Sequence, residues 1–131
     1  MKVQRIMETC IYCRDLVAAE AFYTTVLGCE VLTKEPDRHV FFKLANAMLL
    51  VFNPDNTMSP GSDIPPHGAY GEGHVAFAMS EDQIAKWRKK LADNNVSIEM
   101  EIEWPNGGIS IYFRDPANNS VELITPKTWG Y

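Results

Sequence analysis

The stretch GEGHVAFAMS, Gly71 to Ser80, sets a histidine at the start of an alternating apolar run. Two other runs repeat that arrangement with an acid: METCIYC carries Glu8, and NSVELITP carries Glu122. Side chains on a strand point to alternate faces, so a period of two sorts each run. Val75, Phe77 and Met79 form a bulky apolar set, with His74, Ala76 and Ala78 opposite. In the same way Thr9, Ile11 and Cys13 oppose Glu8, Cys10 and Tyr12, and Val121 and Leu123 oppose Ser120, Glu122 and Ile124. Each run therefore has one apolar face and one potential ligand on the other. An acid on an otherwise apolar strand is expensive to bury without a partner. Glu8, His74 and Glu122 could supply that partner for one another through a shared metal ion, or each could be an ordinary polar residue facing water. They lie far apart in the chain, without the close ligand spacing of a zinc finger or an H-E-x-x-H helix, so spacing leaves both readings open.

Other residues suit supporting chemistry. On ISIYFRDP, Ser110 and Tyr112 alternate with Ile109, Ile111 and Phe113, which directs both toward a cavity with Arg114 near its rim. A tyrosine there could donate a hydrogen bond to a substrate oxygen or move a proton. Arg38 and His39 precede VFFKL; either could hold an anionic group, but only one can face inward. Phe52 and Trp129 are candidate apolar walls or ordinary packing or interface residues, and His67 either closes over a pocket or, as is usual for a loop histidine, is solvated. Cys10 and Cys13 form a C-x-x-C pair, but positions three apart on a strand face opposite ways, so their thiols should diverge. With Cys29 the cysteine count is odd, which suits a reducing compartment better than a disulfide framework. GAYGEG lacks the Lys-Ser or Lys-Thr of a phosphate loop, and Ser62, Ser80 and Ser120 lack a nucleophile-elbow context.

These residues need elements to hold them. Asp15 to Leu27 has apolar residues at 16, 19, 23, 26 and 27, the spacing of a helix with one buried stripe, capped by Asp15 and Gly28. Ser80 and Gln83 form a capping box ahead of Ile84, Trp87 and Leu91, which predicts a second helix to about Asn94. Strand character covers roughly Gln4–Cys13, Glu30–Lys34, His39–Lys43, Met48–Asn53, His74–Met79, Ser97–Glu103, Ile109–Arg114 and Ser120–Thr125. The order is strand, helix, three strands, twice over. Pro54 to Gly73, rich in Pro, Gly, Ser and Asp, reads as a linker between the halves, or as a loop long enough to cover a site. Laid over one another, the halves match Glu8 with His74 and Leu50 with Glu122.

With 131 residues, nearly half of them hydrophobic, the chain is expected to form one compact domain. A net charge of -5 spread through the sequence argues against a nucleic-acid or anionic membrane surface, leaving small molecules or other proteins as partners. MKVQRIMETC lacks the apolar core of a secretory signal, and no apolar stretch is long enough to cross a bilayer, so a cytoplasmic location is expected.

The opening YCRDLVAAEAFYTTVLG, the central GHVAFAM and the closing IYFRDPANNSVELITP resemble the glyoxalase, bleomycin-resistance and extradiol-dioxygenase superfamily, also called vicinal oxygen chelate proteins. The resemblance covers almost the whole chain. It implies an α+β fold of two βαβββ modules that curl into a half-open mixed β-barrel around a metal. One such domain would span 1–131, with module one at about 4–54, a connector at about 55–73 and module two at about 74–126. It also implies that Glu8, His74 and Glu122 ligate one divalent ion, Mn, Mg, Fe(II), Ni or Zn. Two departures stand out: many members have histidine at the position of Glu8, and glyoxalase I enzymes usually carry a fourth, acidic ligand where this chain has Leu50. The expected function is a metal-dependent enzyme acting on a small substrate through vicinal oxygens, with lyase or isomerase chemistry. Tyr112 and Glu122 would handle the proton, and Arg38, Phe52, Ser110 and Arg114 would contact substrate. An Fe(II) extradiol-type dioxygenase and a non-catalytic drug-sequestering protein are the rivals. A homodimer is expected, with sites inside one chain or between chains that exchange modules.

Overall fold

The structure is a computed structural model that describes residues 1–61 and 63–131; Ser62 lies outside the described residues. The chain divides into two compact units, Met1–Gly71 and Glu72–Tyr131. Both are α+β, and no described helix is long and apolar enough to cross a membrane.

Unit one runs β1 (Glu8–Tyr12), α1 (Leu16–Thr25), β2 (Glu30–Glu35), β3 (His39–Lys43) and β4 (Met48–Phe52), followed by the single turn α2 (Pro54–Thr57). Its sheet has the order β1-β4-β3-β2, with β1 and β4 parallel and the other pairs antiparallel. The Asp15 carboxylate accepts from the Ala18 amide at 2.9 Å and starts α1. Gly28, at φ 71°, ends it. Ala19 and Tyr23 are buried, and the Tyr23 ring meets Phe42 at 5.4 Å on the sheet face that also buries Val40, Leu49 and Val51. That apolar layer is the unit's core, and it leaves the opposite sheet face for other work.

β1 begins at Glu8 rather than at Gln4. Its parallel partner β4 starts at Met48, opposite Glu8; the Met48 amide donates back to the Met7 carbonyl at 2.9 Å, and before that Val3 and Ile6 stand exposed. The segment after β4 folds back onto unit one. Asn53 caps α2, the His67 amide donates to the Thr57 carbonyl at 3.0 Å, and Asp55 accepts from both Arg14 and Tyr70 at 2.9 Å. Residues well past β4 are thereby tied back onto unit one.

Unit two repeats the plan: β5 (His74–Ala78), a 3-10 turn at Glu81–Gln83, α3 (Ile84–Asp93), β6 (Met100–Glu103), β7 (Ile109–Arg114) and β8 (Ser120–Ile124). Its sheet order is β5-β8-β7-β6, again with one parallel pair, β5 and β8. The capping box of Ser80 and Gln83 is present, and Leu91 is fully buried. Trp87 is half-buried, with the Lys90 ammonium 5.2 Å from its ring centre. β6 starts at Met100, later than the expected Ser97.

Strand register supports the internal repeat. Glu8 and His74 open the first strand of their units, and Leu50 and Glu122 pair with Cys10 and Ala76, each two residues further along. Across the antiparallel pair, Leu50 faces Phe41 and Glu122 faces Tyr112.

Candidate functional site

The loop between β7 and β8 explains why the RDPANNS segment positions His74. Asp115 and Asn119 are buried; the Asp115 carboxylate accepts from the amides of Ala117 and Asn119, and the Asn119 side chain donates back to it. The Asn119 side-chain oxygen then accepts from the Gly73 amide at 2.7 Å, while the Ser120 amide donates to the Gly73 carbonyl. His74 is thus fixed from its neighbour on one side and from β8 on the other.

Its ring is oriented as well. Nδ1 lies 3.1 Å from the Ser120 carbonyl. A carbonyl only accepts, so Nδ1 carries a proton and Nε2 is the atom left for other chemistry. Nε2 sits 3.3 Å from Oε2 of Glu122. In a neutral imidazole these are two lone pairs face to face, an arrangement that needs a proton or a metal ion between them. Glu122 is only 5% exposed, and its Oε1 is buried without a hydrogen-bond partner. An orphaned buried carboxylate oxygen is costly, and such exceptions in otherwise satisfied interiors often mark an absent ion or water. The donor set of imidazole nitrogen and carboxylate oxygen fits a divalent ion, with the Ser120 carbonyl as the outer partner that fixes ring orientation.

Tyr112 completes the polar face. It is half-buried, stacks at 6.5 Å from the His74 ring, and its pKa is raised, first by burial and then by the Glu122 carboxylate, with Ser110 opposing. The phenol therefore keeps its proton at neutral pH. A shallow depression of about 210 Å³ lies beside it, lined by Glu99, Met100, Ile102, Tyr112, Arg114 and Ser120. Ser110 itself is fully buried, and its hydroxyl accepts from the Trp104 indole at 2.8 Å. Arg114 borders the depression, with its guanidinium committed to Glu99 at 2.6 and 2.9 Å, to Glu72 at 3.0 Å and to the Asn118 carbonyl.

In unit one Glu8 is exposed at the head of β1, and Cys10 and Tyr12 follow on the same face. Among the described residues no three His, Cys, Asp or Glu side chains gather into a metal-binding cluster, so His74 and Glu122 stand as a pair. The face around Leu50 is aromatic. Phe52 is buried, with Phe41 at 5.1 Å, His67 at 4.5 Å and His39 at 6.0 Å between ring centres. His39 stacks on Phe41 at 4.0 Å, and Arg38 donates to its Nδ1 at 3.2 Å. Burial first, then the Arg38 charge, lower the His39 pKa, against a smaller upward pull from Glu35. His67 is not a solvated loop residue: its Nδ1 shares a hydrogen bond of 3.0 Å with the Tyr12 hydroxyl. Trp129 is 75% exposed in the final 3-10 turn, Pro126–Trp129. All three cysteines are thiols; Cys10 is exposed and Cys13 buried, so the C-x-x-C pair diverges as strand alternation requires.

The model of the Glyoxalase/Bleomycin resistance protein/Dioxygenase superfamily matches residues 3–123. The chain belongs to this superfamily. A crystal structure described as lactoylglutathione lyase from Agrobacterium tumefaciens is 41% identical over the whole of both chains, with a TM-score of 0.96. The metallothiol transferase FosB of Lysinibacillus sphaericus is 32% identical over 126 residues, 95% of this chain and 84% of the relative. The fosfomycin resistance protein FosX of Listeria monocytogenes, at 18% identity and a TM-score of 0.72 over 97% of this chain and 99% of its own, shares the fold. These matches establish the superfamily and the architecture.

Proposed function

We propose that the chain is a metal-dependent enzyme acting on a small substrate through vicinal oxygens, with lyase or isomerase chemistry, and that Glu8, His74 and Glu122 hold its one divalent ion. The observation that carries this reading is the buried Glu122 carboxylate, with one oxygen facing His74 Nε2 at 3.3 Å and the other unpartnered. When bound, the ion would supply Lewis-acid stabilisation for an oxyanion developing on the substrate. The chain's own residues do the rest. The Ser120 carbonyl holds the imidazole with Nε2 outward, Glu122 contributes negative charge and can accept a proton, and the Tyr112 hydroxyl, kept protonated, donates to a substrate oxygen. The depression beside Tyr112 offers room for part of that substrate.

The printed names of the relatives, a lactoylglutathione lyase and a metallothiol transferase, support small-molecule chemistry and differ in reaction. Leu50, where glyoxalase I enzymes usually have an acid, favours a second reading: transfer of a thiol to the substrate, after the FosB relative. Assembly as a homodimer is part of the proposal. If modules are exchanged between chains, mixing Glu8→Ala with His74→Ala chains restores a share of intact sites after reassembly, whereas sites within one chain stay broken. Elemental analysis of protein purified without added metal tests the central claim, with about one divalent ion per chain expected. A chain that neither retains nor takes up Mn, Mg, Fe(II), Ni or Zn would be a binding protein instead.

A further inference from the structure

We infer that unit one carries a carboxylate-binding site at Arg38, in the small polar cavity that the β2–β3 turn and α2 form with His67. The inference is independent of the metal reading, since it uses none of the proposed metal ligands and every residue in it belongs to unit one.

Three other arginines show what a guanidinium edge takes in this chain. Arg14, Arg88 and Arg114 each clasp a carboxylate with Nε and Nη2 together: Arg14 holds Asp55 at 2.9 and 3.3 Å, Arg88 holds Glu101 at 3.0 and 2.6 Å, and Arg114 holds Glu99 at 2.6 and 2.9 Å. That edge presents two parallel N–H groups, which match the two oxygens of a carboxylate. Arg38 is half-buried, yet among the described residues it forms no ion pair. Its guanidinium makes one side-chain hydrogen bond there, from Nη1 to Nδ1 of His39 at 3.2 Å. Arginine only donates, so His39 is the acceptor, and a ring that burial and the Arg38 charge hold neutral takes this bond without cancelling the charge. The Nε–Nη2 edge, the one used for carboxylates elsewhere in the chain, has no acceptor among the described residues. A half-buried charge without a counter-charge carries a free-energy cost that a bound anion offsets.

The surroundings fit a small head group. The cavity holds about 30 Å³, room for roughly two water-sized atoms, and its lining includes Arg38, Asn56, Thr57, Pro65 and His67. Its walls are fixed by bonds that occupy their own polar groups. The Asn56 side chain donates to the Asp37 carbonyl, the Thr57 hydroxyl to the Asn53 carbonyl at 3.2 Å, and the His67 amide to the Thr57 carbonyl at 3.0 Å. Asp37, at φ 59°, turns the chain between β2 and β3, and the Arg38 carbonyl accepts from the Asn53 amide at 2.9 Å. The His67 ring is held at Nδ1 by the Tyr12 hydroxyl, leaving Nε2 as its second polar atom. Arg38 is thus the charged donor of a cavity whose volume admits a carboxylate and excludes a bulkier carrier, which makes a small molecule with a free carboxylate the fitting ligand.

The test follows the Arg38 Nε resonance in unaltered protein, as purified, labelled with nitrogen-15 arginine. Acetate at roughly 10 mM should move it and leave the Arg88 resonance in place, whereas acetamide, of the same shape without the charge, should move neither. Arg38→Gln should weaken acetate binding about tenfold and Arg38→Lys nearly as much, because a point charge does not replace the fork; Arg88→Gln should leave it unchanged. An Arg38 resonance indifferent to acetate overturns the inference, as does an equal response to acetamide. Inorganic phosphate binding more tightly than acetate overturns the assignment to a carboxylate. Equal losses in Arg38→Gln and Arg88→Gln would reduce the effect to general surface charge and overturn it too. Should Arg38→Gln fail to fold, the resonance titration of the unaltered chain decides alone.

Discussion

Leu50 and Glu122 occupy the same place in their units: the third residue of the strand that runs parallel to the unit's first. Opposite them stand Phe41 and Tyr112; two residues further along β4 and β8 come Phe52 and Ile124. The backbone register is shared, yet one face is an aromatic cluster of Phe41, Phe52, His39 and His67, and the other carries an imidazole, a carboxylate and two hydroxyls. What differs is how each face is satisfied. Unit one covers its face with a segment of its own chain, through His67 on Phe52 and Tyr12. Unit two leaves a buried carboxylate oxygen without a partner. The repeated scaffold thus separates a packed face from one with an unsatisfied carboxylate oxygen.

The sharpest way to break this contrast is His74→Ala. The methyl group cannot ligate, and Glu122 keeps its buried charge with one partner fewer. Metal binding should be lost altogether; equal metal content in variant and unaltered protein would remove His74 from the site. Next comes Phe52→Ala, which opens the centre of the aromatic face and should cost about 3–5 kcal/mol in denaturant unfolding. A loss below about 1 kcal/mol would mean that the cluster is incidental to stability.

The elements themselves were readable because they depend on local rules. Asp15, Gly28 and the Ser80–Gln83 box mark helix ends by hydrogen bonds made within a few residues. Alternation sorted His74 from Val75 and Cys10 from Cys13, because burial of one face imposes a period of two. What escaped were contacts between residues distant in sequence. Tyr12 and His67 meet across 55 positions, and the Pro- and Gly-containing sequence around His67 gives no sign of it. In the stretch after β4, Asp55 anchors both Arg14 and Tyr70, contacts that composition does not encode. Glu72 and Glu99 converge on Arg114 from other segments, partners that the alternation of β7 does not encode. Trp104 bonds Ser110 only six positions away, across a turn whose Asn-Gly-Gly chemistry could have pointed to it.

A third substitution makes unit one resemble unit two. Leu50→Glu places a carboxylate on a face only 6% exposed at that residue, so the metal-free protein should lose roughly 1–3 kcal/mol. If Leu50 faces the proposed ion, Mn²⁺ should restore that stability and bind more tightly than to the unaltered chain. Destabilisation with no recovery on adding Mn²⁺ would place Leu50 away from the ion.

The smallest effect is a pH dependence confined to the packed face. His39 stacks on Phe41, accepts from Arg38 through Nδ1, and has the Glu35 carboxylate at 3.9 Å. Burial and the Arg38 charge outweigh Glu35, so the folded-state pKa lies below the ordinary 6.5. Below pH 6.5 the unfolded chain therefore takes up a proton at His39 that the folded chain refuses. The stability that follows from the neutral ring is complete above pH 6.5 and is lost as pH falls toward the folded-state value. His39→Gln removes this titration while leaving every other group in place. Its unfolding free energy, measured from pH 7.5 to 5, should fall less steeply than that of the unaltered chain, and the gap between the two should narrow with acidification. Parallel curves would show that His39 titrates alike in both states, and that the aromatic face does not hold it neutral.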